Sequence, residues 1–234
     1  MKLKHYLALA LLLSLSPLFS QQKVVTSQNN RGDNSLLLST SPITINENIE
    51  GTPYVNEEFL PAKISASEGE IFFVRYNAAT DQFEVKSDKN GSAFYLDKYR
   101  RDIQIKITPL DKTYQIFGYL DEDLNEQYSY FIYLTDADKE TIVFKREKVS
   151  FIGEKIAVTT YDKAQPAHYK RWNDSYYIKT KDGILLIEVP TNKKDFSKLF
   201  PEHQKEILGY IKDNKLKPKR EEDLIQIVDY INTL

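Results

Sequence analysis

Residues 71–86, Ile-Phe-Phe-Val-Arg-Tyr-Asn-Ala-Ala-Thr-Asp-Gln-Phe-Glu-Val-Lys, leave little freedom in how the chain can fold. Phe72, Val74 and Tyr76 alternate along a first arm, and Phe83 and Val85 alternate with Gln82, Glu84 and Lys86 along a second, the period of two expected of half-buried strands. With Ala78 to Asp81 as the loop, Asn77 faces Gln82, Tyr76 faces Phe83, Arg75 faces Glu84 and Val74 faces Val85. One register satisfies every pair. A slip of one residue would turn Phe83 and Val85 to water. Cross-strand aromatic and opposite-charge pairs add about 0.2–1 kcal/mol each to that register. Read as a surface ion pair, Arg75 with Glu84 predicts a cost of about 0–1 kcal/mol for Arg75→Ala. Phe83→Ala, at a core position, predicts about 3–5 kcal/mol.

Further hairpins follow the first. Ile103, Ile105 and Ile107 alternate up to Pro109, and Thr113 to Leu120 makes the next strand. Tyr128–Thr135 and Glu140–Arg146 form a second hairpin, with Tyr133 expected opposite Ile142 and Phe131 opposite Phe144. A third runs from Tyr176 to Val189 around Asp182-Gly183, the pair that a type I′ turn prefers. Its arm Ile184-Leu-Leu-Ile187 is apolar on both faces and predicts cover on each side. Upstream, Pro53 and Pro61 limit Gly51–Pro61 to a turn or an edge strand anchored by Tyr54 and Phe59.

After Pro190 the period changes. Phe200, Ile207, Leu208 and Ile211, with Pro201 in the first turn, predict an amphipathic helix to Asp213, and Leu224, Ile227, Val228 and Ile231 predict a second. The acidic Glu221, Glu222 and Asp223 suit the positive end of that second helix. The fold class is therefore α+β: a mainly antiparallel sheet, curved or rolled, with two C-terminal amphipathic helices over one face. The 16 Tyr and 12 Phe gather in the strand segments, where half-buried rings with a polar tip fit. Residues 51–234 read as a single domain, β-rich over 51–190 and helical over 195–232.

The first residues carry an address. Met1-Lys-Leu-Lys-His-Tyr is a short basic start, Leu7–Leu15 is apolar, and Ser16-Pro-Leu-Phe-Ser20 offers a break and a small residue. Residues 1–20 read as a secretory signal peptide cleaved after Ser20, because the apolar run is too short for a bilayer that needs about 20 residues. The mature chain then has no transmembrane segment, and its destination is the periplasm, the outer membrane or the medium. Residues 21–50 are polar and read as a flexible arm with a late β-segment near Ile43. Arg31-Gly-Asp33, the tripeptide of integrin ligands, reads as a chance match in that arm.

Charge and motif content exclude several function classes. The chain holds 32 Lys and Arg against 34 Asp and Glu, a formal charge of −2 that falls to −4 once Lys2 and Lys4 leave with the leader. No basic surplus favours nucleic acid. With no cysteine, neither disulfides nor a lipidated cysteine can hold or anchor the protein. There is no Gly-rich phosphate cradle, no G-x-S-x-G elbow and no H-E-x-x-H, so no cofactor or metal is expected and no catalytic residue is assigned. Asp136-x-Asp138 lacks the remaining ligands of a calcium loop and reads as a hairpin turn. Past residue 20 only His168 and His203 remain. His203 reads as a helix-surface residue. His168, with Tyr169 and the single Trp172, lies in a loop-like stretch and forms the candidate binding cluster; the alternative is a packing role.

The segments Gly51-Thr-Pro-Tyr54 with Glu58-Phe59, then Arg75-Tyr-Asn77 with Asp81 and Glu84, resemble a group of uncharacterised secreted proteins of Bacteroidota with a G-x-P-Y-x-x-x-x-F and R-Y-N-x-x-x-D-x-x-E pattern. Lys198-Leu-Phe200, Ile211–Leu216 and Glu222-Asp-Leu-Ile225 are similar to the lysine-rich helical ending of that group. The resemblance spans residues 51–231 and implies an exported bacterial protein, with no catalytic residues to carry over. Physically, Arg75 faces Glu84, Tyr76 faces Phe83, and Asn77 and Asp81 fix the turn by side-chain to backbone bonds. The expected function is a non-enzymatic binding module of the envelope or medium, its tyrosine-bearing surface meeting an envelope protein or a glycan. The alternatives are an exported hydrolase or carbohydrate-active enzyme with unidentified acidic catalysts, and a sheet curled around an apolar ligand.

Overall fold

The computed structural model describes residues 38–39, 49–157 and 163–234. The expected leader, Arg31-Gly-Asp33 and Ile43 lie outside the described residues, as does most of the polar arm. A curled, mostly antiparallel sheet carries helices near its C-terminal end, an α+β arrangement. Its spatial order is β1 (Leu38–Ser39), β5 (Phe94–Leu96), β4 (Gln82–Lys86), β3 (Phe72–Asn77), β2 (Leu60–Ile64), β6 (Ile105–Ile107), β7 (Lys112–Leu120), β8 (Glu126–Tyr133), β9 (Ile142–Arg146), β12 (Ser175–Lys179) and β13 (Ile187–Glu188). A separate ribbon pairs β10 (Val149–Ile152) with β11 (His168–Arg171).

The β3–β4 hairpin has the register its alternation predicts, with Val74, Arg75, Tyr76 and Asn77 opposite Val85, Glu84, Phe83 and Gln82. Asn77 Oδ1 accepts from Ala79 N (3.2 Å) and Thr80 N (3.1 Å), so its side chain closes the turn. Asp81 does something else. It adopts a left-handed φ of 54°, and its carboxylate reaches away from the turn to the Tyr76 hydroxyl (2.6 Å), the Tyr130 amide (3.2 Å) and Lys98 Nζ (2.6 Å). The turn thereby locks β4 to β8, a strand far along the chain.

Four predicted placements are corrected. In β8–β9, Tyr133 faces Phe144 rather than Ile142. Thr135 Oγ1 accepts from Val143 N at 3.0 Å, drawing the β9 backbone along by two residues. A shift of two preserves the faces, so the apolar pattern tolerates it. In the third hairpin, Gly183 N donates to Thr180 O, and neither Asp182 nor Gly183 has the positive φ of a type I′ turn. The arm is not covered on both sides either: Ile184 is 89% exposed while Leu186 is buried. Pro61 lies within β2, flanked by β3 and β6, and not on an edge. Its missing N–H interrupts no pair with β6, because that ladder begins at Ala62.

The two faces of the sheet carry different cores. On one, Val74, Tyr76, Phe83, Val85, Ile105 and Ile107 join Tyr114, Tyr130 and Ile132 in a first core. On the same face at the other end, Val143 and Ile178 meet the helices α2 (Gln204–Asp213) and α3 (Glu221–Ile231), which contribute Ile207, Ile211, Leu224, Ile227 and Val228. A 3-10 turn at Pro201–His203 precedes α2, and a short extra helix, α1 (Lys193–Ser197), was not expected. Its signal was present, since Asn192 caps it by accepting from Lys194 N at 2.8 Å. On the opposite face Tyr119, Phe131, Phe144, Tyr177 and Leu186 make a third core. There the chain closes on itself, as Leu186 N donates to Gly118 O at 2.8 Å. A Cβ at Gly118 would come 2.7 Å from Leu185 Cδ2, so a larger residue here would have to move the Leu185 side chain.

Arg75 and Glu84 also depart from expectation. They face outward from the first core, yet Glu84 is fully buried and the Arg75 side chain only 14% exposed. The covering comes from the Gly51–Phe59 segment. Pro53 O accepts from Ala78 N (2.9 Å), and the Tyr54 and Phe59 rings lie 3.7 and 4.5 Å from the guanidinium. The pair is an interior salt bridge, and the small cost predicted for a surface pair does not apply.

Candidate functional site

Three carboxylates of the sheet and its turns share one construction, a tyrosine hydroxyl on one side and a cation on the other, as does Glu221 of α3 between Tyr176 and Lys145. Glu84 accepts from the Tyr54 hydroxyl (2.9 Å) and from Arg75 Nε and Nη2 (3.1 and 2.6 Å). Asp81 accepts from Tyr76 and Lys98, and Glu147 from the Tyr114 hydroxyl (2.6 Å) and Lys112 Nζ (2.7 Å), with Arg171 at 3.6 Å. Charge-assisted bonds of this kind satisfy the lone pairs that burial would otherwise leave unmet. They also occupy the groups that acid catalysis would need free. Burial, reinforced by the neighbouring carboxylates, pushes the Tyr54, Tyr76, Tyr114 and Tyr130 hydroxyls far above the ordinary phenol range, and Tyr176, beside Glu221, up to about 12.

An alkaline stability limit follows from these tyrosines. Their protons are held more tightly in the folded chain than in the unfolded one, so their contribution is intact below about pH 10 and is lost as pH rises beyond it. For the buried Tyr76, Tyr114 and Tyr130 together the loss is about 3 kcal/mol between pH 10 and 11. Tyrosinate absorbance, recorded alongside circular dichroism, should show a component from the buried tyrosines that rises only with unfolding. Full ionisation near pH 10 with the fold intact would contradict the arrangement.

The predicted cluster His168, Tyr169 and Trp172 sits on and beside the β10–β11 ribbon, so it belongs to a strand rather than a loop. The root of the ribbon is fixed by Val149 in the first core, by Arg171 against Glu147, and by Trp172 N donating to Lys148 O at 3.0 Å. Tyr169 packs on the first core and against Phe151, ring centroids 5.7 Å apart. Trp172 lies apart from His168. Its indole N–H donates to Ser150 Oγ at 2.9 Å, and Lys170 Nζ stands 3.8 Å from its ring. His168 Nδ1 lies 3.1 Å from its neighbour Pro166 O, and among the described residues no acid or nucleophile is paired with it.

A shallow depression of about 510 Å³ joins His168 and Tyr169 to Glu50, Gly51, Gln165 and Pro166. Glu50 bridges His168, and Tyr169 N donates to Glu50 O at 2.8 Å. Gly51 has φ +82°, and a Cβ there would sit 3.0 Å from Tyr169 O, so the glycine lets this segment dock on β11. The resemblance motifs thus have structural duties: Gly51 docks on the ribbon, Pro53 on the hairpin turn, and Tyr54 on the Arg75–Glu84 pair.

Comparison with family models, with curated proteins and with solved structures finds no match.

Other sequence expectations meet the geometry as follows. Tyr114 and Tyr119 are buried and Tyr133 half-buried, while Tyr128 is 36% exposed, so most of the strand tyrosines build core. The space where a curled sheet would hold an apolar ligand is filled by Tyr76, Phe83, Tyr114 and Tyr130, with ring centroids 4.9 to 5.9 Å apart. Among the described residues, the carboxylate lining the depression is Glu50. Among the described residues no group of three His, Asp or Glu could hold a metal, and no helix is long and apolar enough to cross a membrane. Ser150 and Lys170 lie on one face of the ribbon, beside Trp172, and Phe151 lies on the other with Tyr169; none of the three was singled out from the sequence. The alternation of Val149 and Phe151 against Ser150 and Ile152 was the available signal.

Proposed function

We propose that the protein is an exported, non-enzymatic binding module whose contact surface is the β10–β11 ribbon, with an envelope protein or a glycan as partner. The carrying observation is that this ribbon, rooted in the first core, leaves Phe151 53% and Trp172 42% exposed. Exposed aromatic side chains on a fixed scaffold are the anchors that interfaces and sugar-binding surfaces use. Export is supported by the leader-like residues 1–20 and by the resemblance to secreted Bacteroidota proteins.

A photoreactive amino acid at Phe151 or Trp172, with Lys63 as control, tests the surface in producing cells. The expected result is a discrete adduct from the two ribbon positions and none from Lys63. Its sensitivity to protease or to glycosidase tells protein from glycan. Equal labelling at all three positions would remove the ribbon as the contact surface.

A further inference from the structure

Where α2 meets α3, the charge distribution is unlike the rest of the molecule. Between residues 191 and 220 the chain carries nine Lys and Arg against four Asp and Glu, although the whole sequence is net acidic. Lys193, Lys212, Lys215, Lys217 and Lys219 surround one open depression of about 470 Å³. All five are exposed. Elsewhere Lys98, Lys106, Lys112, Lys145, Lys181 and Lys198 each meet a carboxylate within 3.1 Å. Among the described residues, none of the five lysines of the depression does. The acidic side chain packed into this connection, Asp223, is already engaged by Lys217 N (2.9 Å) and Arg220 Nε (3.5 Å).

The backbone that carries these lysines is fixed. Leu216 N donates to Ile211 O (2.9 Å) and Lys215 N to Lys212 O (3.1 Å), with Lys215 at φ 56°, which closes the end of α2. Half-buried Leu216 and buried Pro218 give the depression an apolar floor. Mobile ammonium groups on long stems, with no arginine fork among them, match charges spread along a chain better than one oriented phosphate. An open trough with an apolar floor suits sugar rings lying flat.

We propose that this lysine-lined trough binds an acidic polysaccharide, a sugar chain bearing carboxylate, sulfate or phosphate groups. The site is separate in sequence from the ribbon and does not depend on its role. The polyanion lies along the trough, its charges meet the five ammoniums, and counter-ions leave both partners. Affinity therefore falls steeply with salt.

The test uses the whole chain and three probes, heparin, polygalacturonate and neutral dextran, with binding measured by titration at about 50 and about 200 mM salt. Heparin or polygalacturonate should bind, weakening at the higher salt, while dextran should not. The exposed substitutions Lys212→Gln, Lys215→Gln, Lys217→Gln and Lys219→Gln together should weaken binding about tenfold or more at the lower salt. Replacing the same four by Arg should restore it. A count-matched control, Lys63→Gln with Lys89→Gln, Lys139→Gln and Lys205→Gln, should leave it within about twofold. Equal loss in both quadruple variants would overturn the proposal, as would absence of binding to both acidic probes. So would tighter binding to phosphatidylglycerol vesicles than to both polysaccharides, which would assign the trough to a membrane surface. Because the ribbon is untouched, a failure here leaves the crosslinking result standing, and the reverse.

Discussion

Arg75→Ala is expected to lower the unfolding free energy by about 3–5 kcal/mol, the penalty for stranding one member of a buried ion pair. Glu84 would keep only the Tyr54 hydroxyl, at 2.9 Å, in a site without exposure. The loss is compounded by packing. The guanidinium also fills the space between the Tyr54 and Phe59 rings and donates to Glu57 O at 3.1 Å, so its removal frees the segment that covers the outer face. Chemical denaturation measures the effect, with an unchanged slope showing that the comparison is between like states. The triple variant Tyr54→Phe, Arg75→Met, Glu84→Leu should recover most of the loss, because an apolar replacement leaves no unpaired charge. A cost below about 1 kcal/mol for Arg75→Ala would mean that the pair behaves as an exposed one.

Phe83→Ala should cost about 3–5 kcal/mol, toward the upper end of that range. Phe83 is fully buried, with Tyr130, Tyr76 and Tyr114 centroids at 4.9, 5.0 and 5.1 Å. Two of those neighbours cannot collapse into the space it leaves. Tyr76 is tied to Asp81 and Tyr114 to Glu147, each by a hydroxyl bond of 2.6 Å. A cavity whose walls are held by hydrogen bonds stays open, and the cost rises with its residual volume. Phe83→Leu, which keeps most of the volume, should cost markedly less. Similar losses for Leu and Ala would show that the rings relax freely.

Much of the fold was legible. In β3–β4 the alternation of Phe72, Val74, Tyr76, Phe83 and Val85 and the turn residue Asn77 gave one register, and the structure has it. The change of period after Pro190 located α2 and α3. In β8–β9 the same reasoning chose a register two residues away, because a two-residue slip keeps every side chain on its face and the Thr135 bond to Val143 N leaves no mark in the pattern. The cluster was legible in part: Tyr169 and His168 share a depression, while Trp172 turns toward Ser150 and Lys170. Its partners Glu50 and Gly51 come from more than a hundred residues upstream, where nothing in their own composition points to β11.

By itself the sequence determined where the hairpin strands β3–β4 and β6–β9 and the two longer helices form and which residues of those strands share a face, since alternation and helical spacing are local properties of the chain. Only the tertiary structure decided what covers each face. Whether Arg75 and Glu84 meet water or the Tyr54 ring, and whether Phe151 and Trp172 stay exposed, depends on which distant segment packs there. That choice is made by long-range burial, and a binary pattern of apolar and polar residues does not encode the identity of the partner that completes it.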